Sequence, residues 1–174
     1  MSERASLIAF IAAVAVQALI LVGVPARKAI TLASGKSAVL KVEPVDPYSI
    51  LSGYYVTLAY EINRVASFPN APELSDGDEC YAVIEMGEDG TWKPVSLERE
   101  LPENLADDRA ALLGRIRYGR IEYGIEEFFI PETKRDAIAD DLRVNREKAR
   151  VDIKIDGSGH AALERLRIED RVYE

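Results

Sequence analysis

The side chains that do most enzymatic work are sparse in this sequence. The densest group is acidic: Glu122, Glu126, Glu127 and Glu132, interleaved with Tyr123, Phe128 and Phe129. Two carboxyl groups at the right separation can act as acid and base. On a strand, however, Glu126 and Glu127 point to opposite faces and do not pair. The expected partners are therefore Arg115, Arg117 or Arg120, and each single change to Gln is expected to move stability by no more than ~1 kcal/mol. His160 is the only histidine and follows Gly157-Ser158-Gly159. A metal site needs several ligands and a Ser-His-acid arrangement needs a matching serine, and the sequence assembles neither. Ser49 or Ser52 with Lys41 forms a formal Ser–Lys pair. Cys80 is the only cysteine, which excludes an intrachain disulfide and suits a small buried side chain. Asp46 before Pro47 reads as a turn carboxylate bonded to nearby amides. No GxxxxGK[ST], GxGxxG or HExxH occurs. No catalytic residue, metal or cofactor is expected from these residues.

The elements that must position these groups are mostly strands. Val39 to Val42 opens one. Tyr54 to Ile62 predicts the clearest, with Val56, Leu58, Tyr60 and Ile62 on one face and Tyr55, Thr57, Ala59 and Glu61 on the other. Gly53 reads as the turn into it. Cys80, Ala82, Ile84 and Met86 alternate, and Glu88-Asp89-Gly90 turns the chain into a hairpin. Residues 63–79 and 98–109 read as loops or short helical turns. Leu112 to Tyr118 alternates again. Pro131 to Leu142 predicts a helix: Pro131 suits the first turn, Glu132 the positive end of its dipole, and Ala137, Ile138 and Leu142 the inner stripe. Val151, Ile153 and Ile155 face inward, and Asp156 to Gly159 turns the chain back along Leu163 to Ile168. The pattern predicts a mainly β domain with one short helix, an antiparallel sheet or open barrel wet on one side.

This domain follows an apolar segment. Between Ala5 and Val24 only Ser6, Gln17 and Gly23 interrupt an apolar run. Twenty residues at ~1.5 Å each make a helix of about 30 Å, the thickness of a bilayer's hydrocarbon core. The reading is a single-pass anchor over 1–26 that meets lipid through residues 5–24, a juxtamembrane linker over 27–36, and a β-rich domain over 37–174. A secretory signal cleaved near Val24-Pro25-Ala26 is the alternative, for which the run is long.

The 174 residues suit one domain behind that anchor. Arg4, Arg27, Lys28 and Lys36 against Glu3 give the first 36 residues +3, which leaves −11 of the total −8 for the rest. Phosphate backbones repel such a domain, so nucleic acid is excluded as a partner. Arg27, Lys28 and Lys36 place the domain in the cytoplasm by the positive-inside count, but large domains are translocated largely regardless of charge. A short amino-terminal segment of this kind resembles a signal anchor, and the expectation is a domain outside the cytoplasm.

Three stretches carry a resemblance. They are Pro44 to Tyr60, which includes Gly53-Tyr54-Tyr55-Val56-Thr57-Leu58-Ala59-Tyr60; Tyr123-Gly124-Ile125-Glu126-Glu127-Phe128-Phe129-Ile130-Pro131-Glu132; and the hairpin from Val151 to Ile168. Together they resemble the GDYXXLXY family of bacterial membrane-anchored proteins. Gly53, Tyr55, Leu58 and Tyr60 match its signature, while Tyr54 stands at the signature's Asp. The resemblance marks Asp46, Pro47, Gly124, Glu126, Pro131 and Glu132 as further motif positions, all read as structural. The family brings no assigned activity. Its members tend to be encoded beside multi-pass membrane proteins, which implies such a protein as partner. The function expected is that of a membrane-anchored accessory or interaction protein of the bacterial envelope. The alternatives are a membrane-tethered hydrolase and a small-ligand sensor domain.

Overall fold

The computed structural model describes residues 3–43, 51–52, 55–130, 133 and 135–173. It opens with a helix, α1 (Glu3–Ser34), in which Leu7–Ser34 is long and apolar enough to cross a membrane. Its apolar side chains stand uncovered, as a lipid-facing helix requires: Leu19 and Leu21 are each 75 % exposed. The segment 27–34, expected as a linker, is instead the last two turns of the same helix, and Pro25 lies inside it. Proline removes one backbone bond, but the neighbouring turns keep theirs and the helix continues to Ser34. The stop comes at Gly35. A Cβ there would sit 2.5 Å from the Thr31 carbonyl oxygen and 2.9 Å from the Ile155 nitrogen, so only glycine lets the helix end pass this close to the sheet.

The chain then builds three antiparallel sheets. Five strands lie in the order β12 (Arg171–Tyr173), β11 (Ala161–Ile168), β10 (Ala149–Ile155), β1 (Lys36–Glu43), β4 (Ala59–Tyr60). Four lie in the order β6 (Trp92–Glu98), β5 (Glu79–Met86), β7 (Arg109–Arg117), β8 (Arg120–Glu122). Three short ones, β2 (Leu51–Ser52), β3 (Tyr55–Thr57) and β9 (Glu127–Phe129), form the last sheet. One apolar core draws on all of them: Leu40 and Val42 from β1, Cys80 and Ile84 from β5, Leu112 and Ile116 from β7, Val151 and Ile153 from β10. The mainly β expectation with antiparallel pairing holds.

Two details depart from the sequence reading. Tyr54 to Ile62 is not one strand. β3 pairs with β9 and β4 with β1, and residues 61–63 close into a 3₁₀ turn. Leu58 lies between the strands, and its amide donates to the Glu126 carbonyl at 2.7 Å, one step further along the β3–β9 register. The alternation fails at Ala59, which is buried. The helix expected from Pro131 is α2 (Arg135–Val144). Ile138 and Leu142 are buried as expected, but Ala137 is exposed, so the inner stripe is narrower.

Membrane-proximal and distal ends follow from this order. β1 leaves the helix end at Lys36 and reaches Glu43 far from it, antiparallel to β10. The β10–β11 turn therefore lies beside α1, and the β7–β8 hairpin, the 3₁₀ turn at 61–63 and Glu126 lie at the other end.

Candidate functional site

The distal end gathers several of the residues singled out in the sequence. Leu58 and Tyr60 are core side chains, 2 % and 1 % exposed. The Tyr60 hydroxyl donates to the Ile125 carbonyl at 2.8 Å, and its amide donates to Asn63 Oδ1 at 2.7 Å. The Asn63 side-chain amide donates in turn to the Ile121 carbonyl (2.8 Å) and to Glu126 Oε1 (3.0 Å). Tyr123 lies over Gly114, where a Cβ would meet its ring at 2.8 Å, and its hydroxyl donates to the Ile62 carbonyl at 2.7 Å.

Glu126 is the centre of this knot. Oε1 accepts from the Tyr123 amide (2.8 Å) as well as from Asn63, and Oε2 accepts from the Gly124 (2.8 Å) and Ile125 (3.0 Å) amides. Gly124 has a φ of 77°, the left-handed backbone that turns these amides toward one carboxylate. Among the described residues no arginine pairs with Glu126; of the acidic cluster it is Glu122 that pairs with Arg117, at 3.3 Å. Four N–H donors fill the roughly four acceptor positions of a carboxylate, so Glu126, which lines the neighbouring cavity, is committed to the turn that holds it. Burial pushes the Tyr60 and Tyr123 phenols well up; the Glu126 charge adds to this for both, and Cys80 for Tyr123. Both stay neutral hydrogen-bond donors.

Beside the knot is a cavity of about 210 Å³, lined among others by Asn63, Arg117, Tyr118, Arg120, Glu122 and Glu126. Its outer wall is the β7–β8 hairpin. Arg117 faces Arg120 in register, so Tyr118 and Gly119 form a two-residue turn, with φ of 50° and 72°. Two consecutive positive φ values mark a type I′ hairpin, which favours Asn, Asp or Gly at its first central position. Tyrosine there is strained, and the residue is 92 % exposed. Tyr55 lies apart on β3, its ring tilted against Phe129 with centroids 6.0 Å apart.

The remaining sequence candidates are dispersed. Asp46, Pro47, Gly53, Pro131 and Glu132, with Ser49, lie outside the described residues. Lys41 is exposed on β1, and Cys80 is buried, its thiol pushed up to about 11 by burial and then by the Asp78 charge. His160 belongs to the membrane-proximal end, where its Nδ1 accepts from the Arg27 guanidinium at 2.9 Å. Next to it Asp156 Oδ1 accepts from the Ser158 (2.9 Å) and His160 (3.0 Å) amides, and Oδ2 from the buried Thr31 hydroxyl (3.0 Å). Burial pushes the Asp156 carboxyl up, but these three bonds and the nearby His160 outweigh it and hold the group below the usual range. A second groove, of about 520 Å³, opens here between Ser34, Lys36, the 101–107 loop and the β10–β11 turn. Among the described residues no group of three or more His, Cys, Asp or Glu could hold a metal ion.

Sequence reasoning missed Asn63, Tyr118 and Thr31. Two consecutive residues of a type I′ turn were there to find in Arg117-Tyr118-Gly119-Arg120, through its Gly119. Thr31 carried no signal, because its partner lies 125 residues away, and Asn63 little, because beyond the Tyr60 amide its partners lie 58 and 63 residues away.

No curated protein and no solved structure matches the chain. The model of the GDYXXLXY protein family does match it, over residues 17–166. That match starts inside the apolar helix, takes in the whole knot around Glu126 and runs on into β11, and so the chain belongs to the GDYXXLXY family.

Proposed function

We propose that this protein is a single-pass, membrane-anchored accessory protein that works by binding another membrane protein through the distal end of its domain. One observation carries the reading. The β7–β8 hairpin holds a strained, almost fully exposed tyrosine between two arginines, beside a cavity floored by the signature strands. Tyrosine and arginine are the side chains that interface cores favour, and strain retained on a surface loop is a mark of use. The groups around that cavity that could do acid–base chemistry are committed, Glu126 to backbone amides and Glu122 to Arg117. This supports recognition over reaction.

The test is co-purification of the full-length protein from its own membranes, with the Tyr118→Ala and Arg120→Glu variants compared. Both variants are expected to fold and stay in the membrane pellet while losing a protein that accompanies the parent. Retention of every accompanying protein by both variants would reject the distal end as the binding face.

The same reading places the domain outside the cytoplasm, with α1 as an uncleaved signal anchor. Protease added to intact spheroplasts is expected to digest the domain. Protection until lysis would reverse the orientation.

A further inference from the structure

Gln17 is the one residue of the apolar run between Phe10 and Val22 that has hydrogen-bonding groups on its side chain. It is exposed on α1 and has no side-chain hydrogen bond among the described residues. The side chains one turn away on its face are Ala13, Val14, Ile20 and Leu21, which offer it nothing. It sits seven residues before Val24, about 10 Å inside the hydrocarbon at ~1.5 Å per residue. A glutamine side chain does not reach water from that depth. Its amide has two donors and a carbonyl acceptor, and leaving them unmet in lipid is costly. An interhelical bond is the available remedy.

The domain decides what kind of helix can supply it. Fourteen residues at about 100° each bring Gln17 to within about 40° of Thr31 around the helix axis. Thr31 faces the domain: it is 2 % exposed and bonded to Asp156, with Arg27 bonded to His160 one turn earlier. The domain therefore overhangs the side of α1 on which Gln17 lies. A second copy packed there would run its own helix on to Ser34 and set its own domain into the same space. A helix that stops at the membrane surface fits beneath the overhang. The loop leaving it would emerge beside Ser34 and Lys36, where the 520 Å³ groove opens.

We infer that Gln17 is a hydrogen-bonding contact to a transmembrane helix of another membrane protein, one that carries a polar side chain at the same depth and ends under the domain. The inference rests on the accessory reading above, and adds a second contact within the bilayer.

The experiment places a photoreactive benzophenone amino acid at position 17 or at position 19 of the full-length protein in its native membranes. Leu19 lies about 200° away, on the opposite face. The expected result is a protein adduct from position 17 and not from 19, mapped by mass spectrometry to a residue within a membrane span of the captured protein. Gln17→Leu is then expected to reduce co-extraction of that same protein by about three- to thirty-fold, the range for one interhelical hydrogen bond, and Gln17→Asn to restore it. Equal capture from 17 and 19, adducts to lipid alone, or an adduct of twice the chain's own mass would overturn the inference. The two proposals fail separately. A partner that co-extracts with the parent and equally with Gln17→Leu sinks this contact alone, and parent protein that brings down no partner sinks the accessory reading.

Discussion

Each end of the domain is held by one carboxylate, and the two do it differently. At the membrane end, Asp156 closes its own turn with one oxygen and uses the other to reach the anchor helix through Thr31. At the distal end, Glu126 spends both oxygens on N–H donors, three from the turn just before it and one from Asn63. The first is a joint between two parts of the molecule. The second is a knot inside one part, tied beneath the signature strands. The difference is one of donors: a hydroxyl can turn round and accept, whereas a backbone amide cannot.

The largest effect is expected where the knot meets the core. Leu58→Ala removes a side chain that is 2 % exposed and leaves its volume unfilled, so a loss of ~2–5 kcal/mol is expected in chemical denaturation. A much smaller loss would mean that the distal end is loosely packed, and the contrast between a firm knot and a joint would fail.

Glu126→Gln comes next. Either orientation of the new amide points its NH₂ group at N–H donors that the carboxylate now satisfies. Hydrogen bonds to charged groups contribute roughly 1.5–3 kcal/mol each on balance, and a loss of about 2–3 kcal/mol is expected. This replaces the ~1 kcal/mol expected from the sequence, where Glu126 was read as an exposed partner of arginine. A variant that melts with the parent would show that the four bonds contribute little.

Asp156→Asn should be milder, about 1 kcal/mol. The amide oxygen can keep the Ser158 and His160 bonds, and the new NH₂ can donate to the Thr31 hydroxyl. The pH dependence sharpens the comparison. The folded-state pKa of Asp156 lies below its ordinary value of about 4, so the unfolded chain binds the proton more readily. Its contribution is present above about pH 4 and is lost as pH falls through the lower folded value. Thermal melts between pH 7 and pH 2.5 should show the parent losing part of its advantage over Asp156→Asn in that acid window. An unchanged difference across it would remove Asp156 as the charged joint.

The two ends also differ in how far the sequence reveals them. The β10–β11 hairpin is legible except for one register shift, where Glu164 has no opposite residue: Val151, Ile153 and Ile155 alternate with polar residues, and Asp156-Gly157-Ser158-Gly159 has local turn chemistry. Register there is fixed by residues close in sequence. At the distal end, Tyr54 to Ile62 has the period of one strand, yet the chain stays on β9 as far as Leu58, whose amide donates to the distant Glu126 carbonyl, and pairs with β1 from Ala59 on. Nothing near Leu58 announces that. Glu126 itself reaches backward to three amides, a role for which glutamate has no spacing rule, whereas Asp156 makes the common forward turn. The run from Ala5 to Val24 marks the span, but the helix outlasts it by ten residues because Thr31 and Arg27 find partners on the domain.

The smallest expected effect on stability has the opposite sign. Tyr118 has a φ of 50°, where a side chain with a Cβ costs roughly 1–2 kcal/mol relative to glycine. Glycine in turn loses more backbone entropy on folding, by roughly 0.5–1 kcal/mol. At 92 % exposed, Tyr118 recovers little by packing. Tyr118→Gly is therefore expected to stabilise the domain by about 0.5–1 kcal/mol, read as a rise in melting temperature. The same change removes the aromatic ring from the proposed binding face. A gain in stability together with loss of the co-purifying partner would mean that the distal hairpin keeps a strained tyrosine for contact, unlike the membrane end, where the turn has glycine at its one left-handed position, Gly159, packed against Leu113. A variant less stable than the parent would show that the ring is held in place for the fold, and the hairpin would lose its claim as the recognition element.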